Sequence, residues 1–388
     1  KEPIYLIKKT LLRDLKNSIK KILIAHSSND KYGASKVLIS IIDIFINNGF
    51  EVHLFLPNDG PLNNNQIIKK TNIKILNLGV FRKKYFTFFG LINRLYFILK
   101  SSLYIKKFLK RNKFDLVYTN TSTLISPSIA AKLVGIPSIY HIHEIPNSNS
   151  IYSRFMTTFL NNFSRNIVCV SKSVKDFWIQ KGIKKNKLEI INNGFIFKKI
   201  EPKVLNKEKI IFTSISRIIP YKGHILLIEL FDALLKKNNK IQLQIVGDTL
   251  PQYQKYLDDL KLNVKKKGIN DRIMFLGFRN DISYILTNSN FFIHTPILPD
   301  PFPTVIFEAI YSKTPVITND LGGAHEILYF GKNGLIIKNE LINESVERII
   351  KYIENRELQK ENVKKAFDYV CKNYSLKNFE KKIIKIIE

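Results

Sequence analysis

Two doubly wound α/β domains in series are the fold this sequence predicts, on three observations. Short β-branched runs alternate with segments of helical period, as in "KILIAH" followed by "GASKVLISIIDIFINNG", which is the pattern of strand–helix–strand units around a parallel sheet. The alternation restarts after residue 207 with "KIIFTSIS", "IQLQIVG", "RIMFLG", "NFFIHTP" and "TPVITND". The chain of 388 residues also exceeds the length over which one hydrophobic core keeps growing.

In chain order, residues 1–20 read as an extra basic amphipathic helix, with Ile4, Ile7, Leu11, Leu15 and Ile19 on one side. The first domain is expected over 1–197, its strands carried by "KILIAH", "EVHLFLP", "DLVYTN", "PSIYHIHE" and "NIVCVS". A polar, Lys-rich interval with Gly and Pro, at about residues 195–207, reads as the linker. The second domain is expected over 198–370. Residues 371–388, ending in "FEKKIIKIIE", are amphipathic again and are expected to form a helix that packs back on one of the two domains, the N-terminal one being a candidate.

Composition narrows the class. Hydrophobic residues make up 45% of the chain, and the greasiest region, "YFTFFGLINRLYFILKSSLYI", is interrupted by Arg94 and Lys100. No stretch therefore approaches the roughly 20 apolar residues a spanning helix needs. Cys169 and Cys371 are the two cysteines, too few for a disulfide framework, which points to a reducing, cytoplasmic setting. No signal-peptide pattern is visible. The formal charge is +30, and residues 1–197 carry 31 basic against 10 acidic side chains, so the first domain is expected to meet something anionic. Residues 82–113 hold ten basic and no acidic residues, with Leu91, Leu95, Leu99 and Leu103 at helical spacing. An apolar body with a basic fringe suits an interfacial helix on the inner face of an anionic membrane, and equally a core-packed helix with a solvated face.

In open parallel sheets ligands bind outside the carboxyl ends of the strands. After "KILIAH", Gly33 opens a helix, where backbone N–H groups can approach a phosphate. After "PSIYHI", His143 and Glu144 follow His141; the remaining histidines form no ligand motif with them, and His143 reads as a hydrogen-bond donor to a sugar hydroxyl. In "SISRIIPYKGH", Arg217 and Lys222 flank a Pro turn after a strand and can converge on one anion, a planar fork beside a point charge. Gly247 and Gly277 end the next two strands, small enough for a planar base to approach the backbone.

The stretch "DPFPTVIFEAIYSKTPVITNDLGGAHEIL" is the most informative. Pro301 and Pro303 keep Asp300 and Glu308 off a common helix. Asp300 then lies on a loop, a helix starts near Thr304, and Glu308 sits in its first turns. The N–H groups of Thr304, Val305 and Ile306 can meet a phosphate while the two carboxylates accept hydrogen bonds from hydroxyls on either side of it. A nucleotide sugar has that pattern of hydroxyls, diphosphate and hydroxyls.

The run from Asp300 to Glu326, with "SRIIPYKGH" upstream, resembles the donor domain of the family 4 glycosyltransferases, and "ILIAHSSNDKYGASKVL", "YHIHE" and "IINNGF" extend the likeness over nearly the whole chain. The resemblance implies the GT-B fold, two Rossmann-like doubly wound domains facing each other across a cleft, and a retaining transfer from a nucleotide-diphosphate sugar to a glycan or lipid-linked acceptor in cell-surface polysaccharide or lipopolysaccharide assembly. It implies that Arg217 and Lys222 hold the donor diphosphate and stabilise the leaving nucleotide, that Glu308 binds the ribose, and that Asp300 binds the donor sugar. Gly33 would let the first loop close near the phosphates, and His143 would approach the donor sugar. With Gly247, Phe278, Phe302, Pro303, Thr304 and Val305 these residues make up the expected donor site. Asp300 stands where the family usually has Glu, one methylene longer. The sequence has no Asp-x-Asp, so no metal or other cofactor is expected, Arg217 and Lys222 taking the place of a cation. Two other readings are a nucleotide-sugar epimerase on the same fold and a basic nucleic-acid-binding protein; the second lacks any recognition motif and leaves the Asp300–Glu308 turn unexplained, so no nucleic acid is expected.

Overall fold

The computed structural model describes residues 21–30, 32–81, 85, 87–146, 151–196 and 208–388. The helix expected over residues 1–20, most of the 195–207 linker, the 197/198 boundary, and residues 82–84 and 86 of the basic 82–113 segment lie outside the described residues.

The first sheet holds β1 (Lys21–Ala25), β2 (Glu51–Leu56), β3 (Asn72–Ile75), β4 (Leu116–Thr119), β5 (Ser138–Ile142), β6 (Asn166–Cys169) and β7 (Leu188–Ile190). Its order is β3-β2-β1-β4-β5-β6-β7, with every pair parallel. Strand residues alternate between faces, and on the central strands both faces are covered, so β1, β4 and β6 read as nearly unbroken apolar runs. Leu23 and Ala25 join Phe55 and Val117 in one core; Ile22 and Ile24 join Leu54, Leu116 and Tyr118 in the other. Helix Gly33–Asn47 covers the second core with Val37, Leu38, Ile41, Ile42 and Phe45, a 3.6-period stripe.

The second sheet holds β8 (Ile210–Ile215), β9 (Ile241–Val246), β10 (Ile273–Gly277), β11 (Phe291–His294), β12 (Val316–Asn319) and β13 (Leu335–Ile337) in the order β10-β9-β8-β11-β12-β13. Helices His224–Lys237 and Ile342–Glu354 pack Leu227, Phe231, Leu234, Val346 and Ile349 against Phe212, Leu243, Ile293 and Ile317. Two parallel α/β sheets in one chain are what the resemblance implies. In each sheet the chain winds outward in both directions from a central strand pair, β1/β4 in the first and β8/β11 in the second, and these are the switch points at which such sheets open a crevice.

The compact units are Lys1–Phe195 with Leu376–Glu388, and Ile196–Ser375. The helix expected from residue 371 begins at Leu376, because helix Arg356–Asn373 runs through 371. Phe379, Ile383, Ile386 and Ile387 of helix Leu376–Ile387 are buried in the same core as Ile22 and Ile24. Gly194 makes this approach possible, since a Cβ there would lie 2.6 Å from the Phe379 Cβ and 2.8 Å from the Leu376 Cα.

Helix Phe88–Asn112 is capped by Thr87, whose hydroxyl accepts from the Gly90 N–H at 3.1 Å, and stops at Lys113 in the left-handed region, φ 50°. It buries Ile98, Ser101, Ser102, Ile105 and Leu109 and packs against helix Ser126–Val134. Phe88, Ile92, Leu95, Leu99 and Leu103 line the other side and are exposed. Among the described residues no helix is long and apolar enough to cross a membrane.

Candidate functional site

In the second unit the polypeptide leaves β8 into Arg217 and a short 3-10 turn, Pro220–Lys222, that ends at Gly223 in the left-handed conformation, φ 77°. A Cβ on Gly223 would sit 1.8 Å from the Thr295 carbonyl, so glycine there lets the turn lie against the end of β11. This packing delivers Lys222 to Asp300: the ammonium forms an ion pair with Asp300 Oδ2, both side chains mostly buried. His294 Nε2 lies 3.5 Å from the same oxygen, at the limit of hydrogen-bond length, and is otherwise buried without a partner. Burial alone would raise the Asp300 pKa, but His294 and Lys222 outweigh it and hold the carboxyl well below the usual range. Burial pushes His294 below its ordinary value, which Asp300 only partly offsets.

The backbone of Asp300 is fixed from the other side. Its carbonyl accepts from the Gly323 N–H at 2.8 Å and it bridges to Gly322, where a Cβ would stand 2.2 Å from the Asp300 oxygen. The Gly-Gly of the sequence is thus explained by close backbone approach. Phe302 is buried against Phe307 and Tyr374, with ring centroids 5.1 and 5.8 Å away, and anchors the turn. Pro303 caps helix Thr304–Tyr311 with no side-chain cap bond. Thr304, Val305 and Glu308 are half-buried in its first turns. Of the three N–H groups expected to face an anion, that of Ile306 is taken by the Pro303 carbonyl at 3.1 Å, which confines the expectation to Thr304 and Val305. Tyr221, between the two candidate cations in sequence, has its phenol raised chiefly by burial and feels both Arg217 and Asp300.

Three glycines divide by cause. Gly247 has φ 136° and a Cβ there would lie 1.9 Å from the Ser216 carbonyl, so the backbone of the neighbouring strand end demands it, and no room for a base is needed to explain it. A Cβ at Gly277 or Gly33 would meet nothing within 4 Å, but Gly277 sits at φ 64°, a backbone conformation that itself favours glycine. Phe278 is exposed on the loop after β10.

In the first unit His143 follows β5 and meets residues that the sequence reading passed over. Asn120, directly after β4, is fully buried and its Oδ1 lies 2.9 Å from His143 Nε2. Asn120 Nδ2 reaches the Ala34 carbonyl at 3.3 Å and His26 Nδ1 at 3.2 Å. His26, directly after β1, contacts Ser35 Oγ at 3.2 Å, and Ser35 donates to Asp30 Oδ1 at 2.8 Å. The Asp30 carboxyl is raised by burial, but bonds from Ser35, the Tyr32 backbone and Ser28 carry it below its ordinary value. His26 and Asn120 end the two switch-point strands, with the Asn120 N–H donating to the Ala25 carbonyl at 2.9 Å. Their position after "LIA" and "VYT" is the signal that could have singled them out. The His141 and His143 rings lie 4.2 Å apart. Burial drives His141 down to about 3, and burial with the neighbouring His141 and His26 drives His143 well below 6.5, so both rings are neutral near pH 7. Glu144 accepts from Thr121 Oγ1 at 2.5 Å, from Ser122 Oγ at 3.1 Å and from the His143 backbone N–H at 3.2 Å, and burial raises its pKa. Among the described residues no group of three His, Cys, Asp or Glu side chains is placed to hold a metal ion.

Two family models match the chain in tandem: "Glycosyltransferase Family 4" over residues 32–196 and "Glycosyl transferases group 1" over 195–369. A relative from Escherichia coli, UDP-Gal:alpha-D-GlcNAc-diphosphoundecaprenol alpha-1,3-galactosyltransferase, is 24% identical over 374 residues, 89% of this chain and 91% of that protein. A poly(ribitol-phosphate) alpha-N-acetylglucosaminyltransferase from Staphylococcus aureus is 27% identical over 47% of this chain and 36% of its own length. Among solved structures, Anabaena HepE in complex with UDP and glucose superposes with a TM-score of 0.78 at 22% identity, covering 95% of this chain and 99% of that one; the likeness shows the fold. The named relatives are transferases, and the epimerase alternative is set aside.

Proposed function

The chain belongs to glycosyltransferase family 4 and is a glycosyltransferase, and from that premise we propose a metal-independent, retaining transfer of a sugar from a nucleoside diphosphate to a hydroxyl of a lipid-linked or cell-surface glycan. The observation that carries the donor assignment is the Lys222–Asp300 pair at the β8/β11 switch point, beside helix Thr304–Tyr311. When the diphosphate arrives, Lys222 exchanges the carboxylate for phosphate, with Arg217 as the second cation, and the released Asp300 accepts hydrogen bonds from the donor sugar. Glu308 addresses the ribose, and the Thr304 and Val305 N–H groups add a helix N-terminus. The bond between the anomeric carbon and the diphosphate oxygen breaks with its electron pair going to the diphosphate, where these positive groups stabilise the developing charge. The acceptor oxygen bonds to the anomeric carbon on the same face, and its proton passes to the departing phosphate, so no side chain is assigned as a base. Uridine is the base to test first, because the Escherichia coli relative is named for a UDP-sugar and HepE was solved with UDP.

The acceptor falls to the first unit, where helix Phe88–Asn112 shows an exposed apolar stripe and Lys100, Lys106, Lys107, Lys110 and Arg111, with no acidic residue on the helix. On this reading the protein works in the cytoplasm, peripheral on the inner face of an anionic membrane, and has no nucleic-acid partner. The test is transfer from a panel of nucleotide sugars to undecaprenyl-diphosphate-linked acceptors with and without EDTA, and the anomeric configuration of the product by NMR. An inverted product, or activity abolished by EDTA and restored by a divalent ion, would refute the mechanism.

A further inference from the structure

The hydrogen bonds around Asn120 decide which face His143 offers. The Ala34 carbonyl can only accept, so the group 3.3 Å from it is the Asn120 amide NH2. Oδ1 of the same side chain is therefore the atom 2.9 Å from His143 Nε2, and an amide oxygen can only accept. His143 must carry its proton on Nε2, leaving a bare lone pair on Nδ1, which has no partner among the described residues, on a residue of intermediate exposure. The orientation of Asn120 is set by the Ala34 carbonyl and by His26: Ser35 gives its proton to Asp30 and so accepts from His26 Nε2, which leaves His26 Nδ1 to accept from the Asn120 NH2 at 3.2 Å although the Asn120 backbone carbonyl also lies 3.3 Å from that nitrogen.

We propose that Asn120 is a positioning residue that locks His143 in the Nε2–H tautomer, so that His143 acts on its substrate as a hydrogen-bond acceptor through Nδ1, accepting a hydrogen bond from a sugar hydroxyl, and not as the donor its place in the sequence first implies. The neutral state of the ring agrees with this, since an imidazolium would have no lone pair to offer. The inference rests on the proposed function only for what approaches Nδ1; the tautomer itself is a property of the free protein.

Histidine 15N labelling of the full chain reads which ring nitrogen bears the proton, the His143 signal being assigned by its loss in His143→Asn. The expected result is a proton on Nε2 in the wild type. In Asn120→Leu the signal moves toward the averaged shifts of a free ring, and in Asn120→Asp, whose carboxylate still accepts from Nε2, it stays. In transfer assays His143→Asn, which sets an amide oxygen near the place of Nδ1, keeps about tenfold more kcat than His143→Gln, whose amide falls near Nε2, roughly the worth of one hydrogen bond. A proton on Nδ1 in the wild type overturns the inference without any variant needing to fold, and so does His143→Gln outperforming His143→Asn. A chain that shows the Nε2–H tautomer yet transfers sugar from no donor counts against the proposed function and leaves the lock standing.

Discussion

Lys222 and Asp300 are each other's partner in the ligand-free protein, and that mutual neutralisation sets what single substitutions do. Lys222→Ala leaves a buried carboxylate with only a neutral histidine beside it, and Asp300→Leu leaves a buried ammonium. Each is expected to cost about 3 kcal/mol, while Lys222→Met with Asp300→Leu recovers most of the loss and remains without activity; urea unfolding of the three variants checks this, and additive losses would contradict it. Acid acts through the histidines. His141 and His224, pushed down to about 3 and about 4 by burial, stay neutral in the folded chain where the unfolded chain protonates near pH 6.5. The unfolded state then binds more protons, so stability falls as pH drops from about 6.5 to about 3. Asp300 adds its share below about pH 4, because its depressed pKa contributes stability above the unfolded value and loses it as pH falls towards the folded one. Melting temperatures across pH 3–7 measure the sum, and a flat profile would contradict the buried neutral rings. The acid-flanked Pro turn and the Arg217–Lys222 loop were legible at this scale because chemistry-bearing residues follow strands. The pairing of Lys222 with Asp300 was not, since it joins positions 78 residues apart. The Asn120–His143 contact was hidden for the same reason, spanning 23 residues between separate strands.

At the scale of elements the alternating runs specified the strands, because both faces of a parallel sheet are buried and the apolar residues are contiguous. What spacing alone left open was which glycines serve the fold. Gly247→Ala forces a Cβ into the Ser216 carbonyl at a positive φ and is expected to destabilise by more than about 1 kcal/mol. Gly33→Ala meets no atom within 4 Å at the start of a helix, so stability holds or rises, while donor affinity falls if phosphate approaches there. Calorimetry paired with nucleotide titration separates the two effects; equal melting losses in both variants would contradict the division. Helix Phe88–Asn112 was ambiguous in sequence between core and interface, since its buried stripe holds two serines and its exposed stripe the leucines, an inversion periodicity cannot orient. Leu95→Asp with Leu99→Asp is expected to abolish co-sedimentation with anionic vesicles and spare the fold. Binding of the wild type to neutral vesicles as strong as to anionic ones would contradict the electrostatic part of that reading.

For the molecule as a whole, the two-fold recurrence of strand–helix units was readable from residue 207 onward, and it placed the candidate cluster of each unit at the switch point of its own sheet. The first unit is completed only by the far end of the chain, where Phe379, Ile383, Ile386 and Ile387 enter its core; amphipathic spacing announced the helix, and its neighbours came from the fold. The central claim is that the second unit binds a nucleoside diphosphate through Lys222 without a metal. Thermal shift of the wild type and Lys222→Ala with nucleoside diphosphates and nucleotide sugars, in EDTA, tests it most directly, because a ligand at 100 times its Kd adds about 2.7 kcal/mol of stability. The account predicts a melting shift for one nucleotide class, unaffected by EDTA and lost in the variant. A shift that appears only when a divalent cation is supplied, or one retained in full by Lys222→Ala, would contradict it.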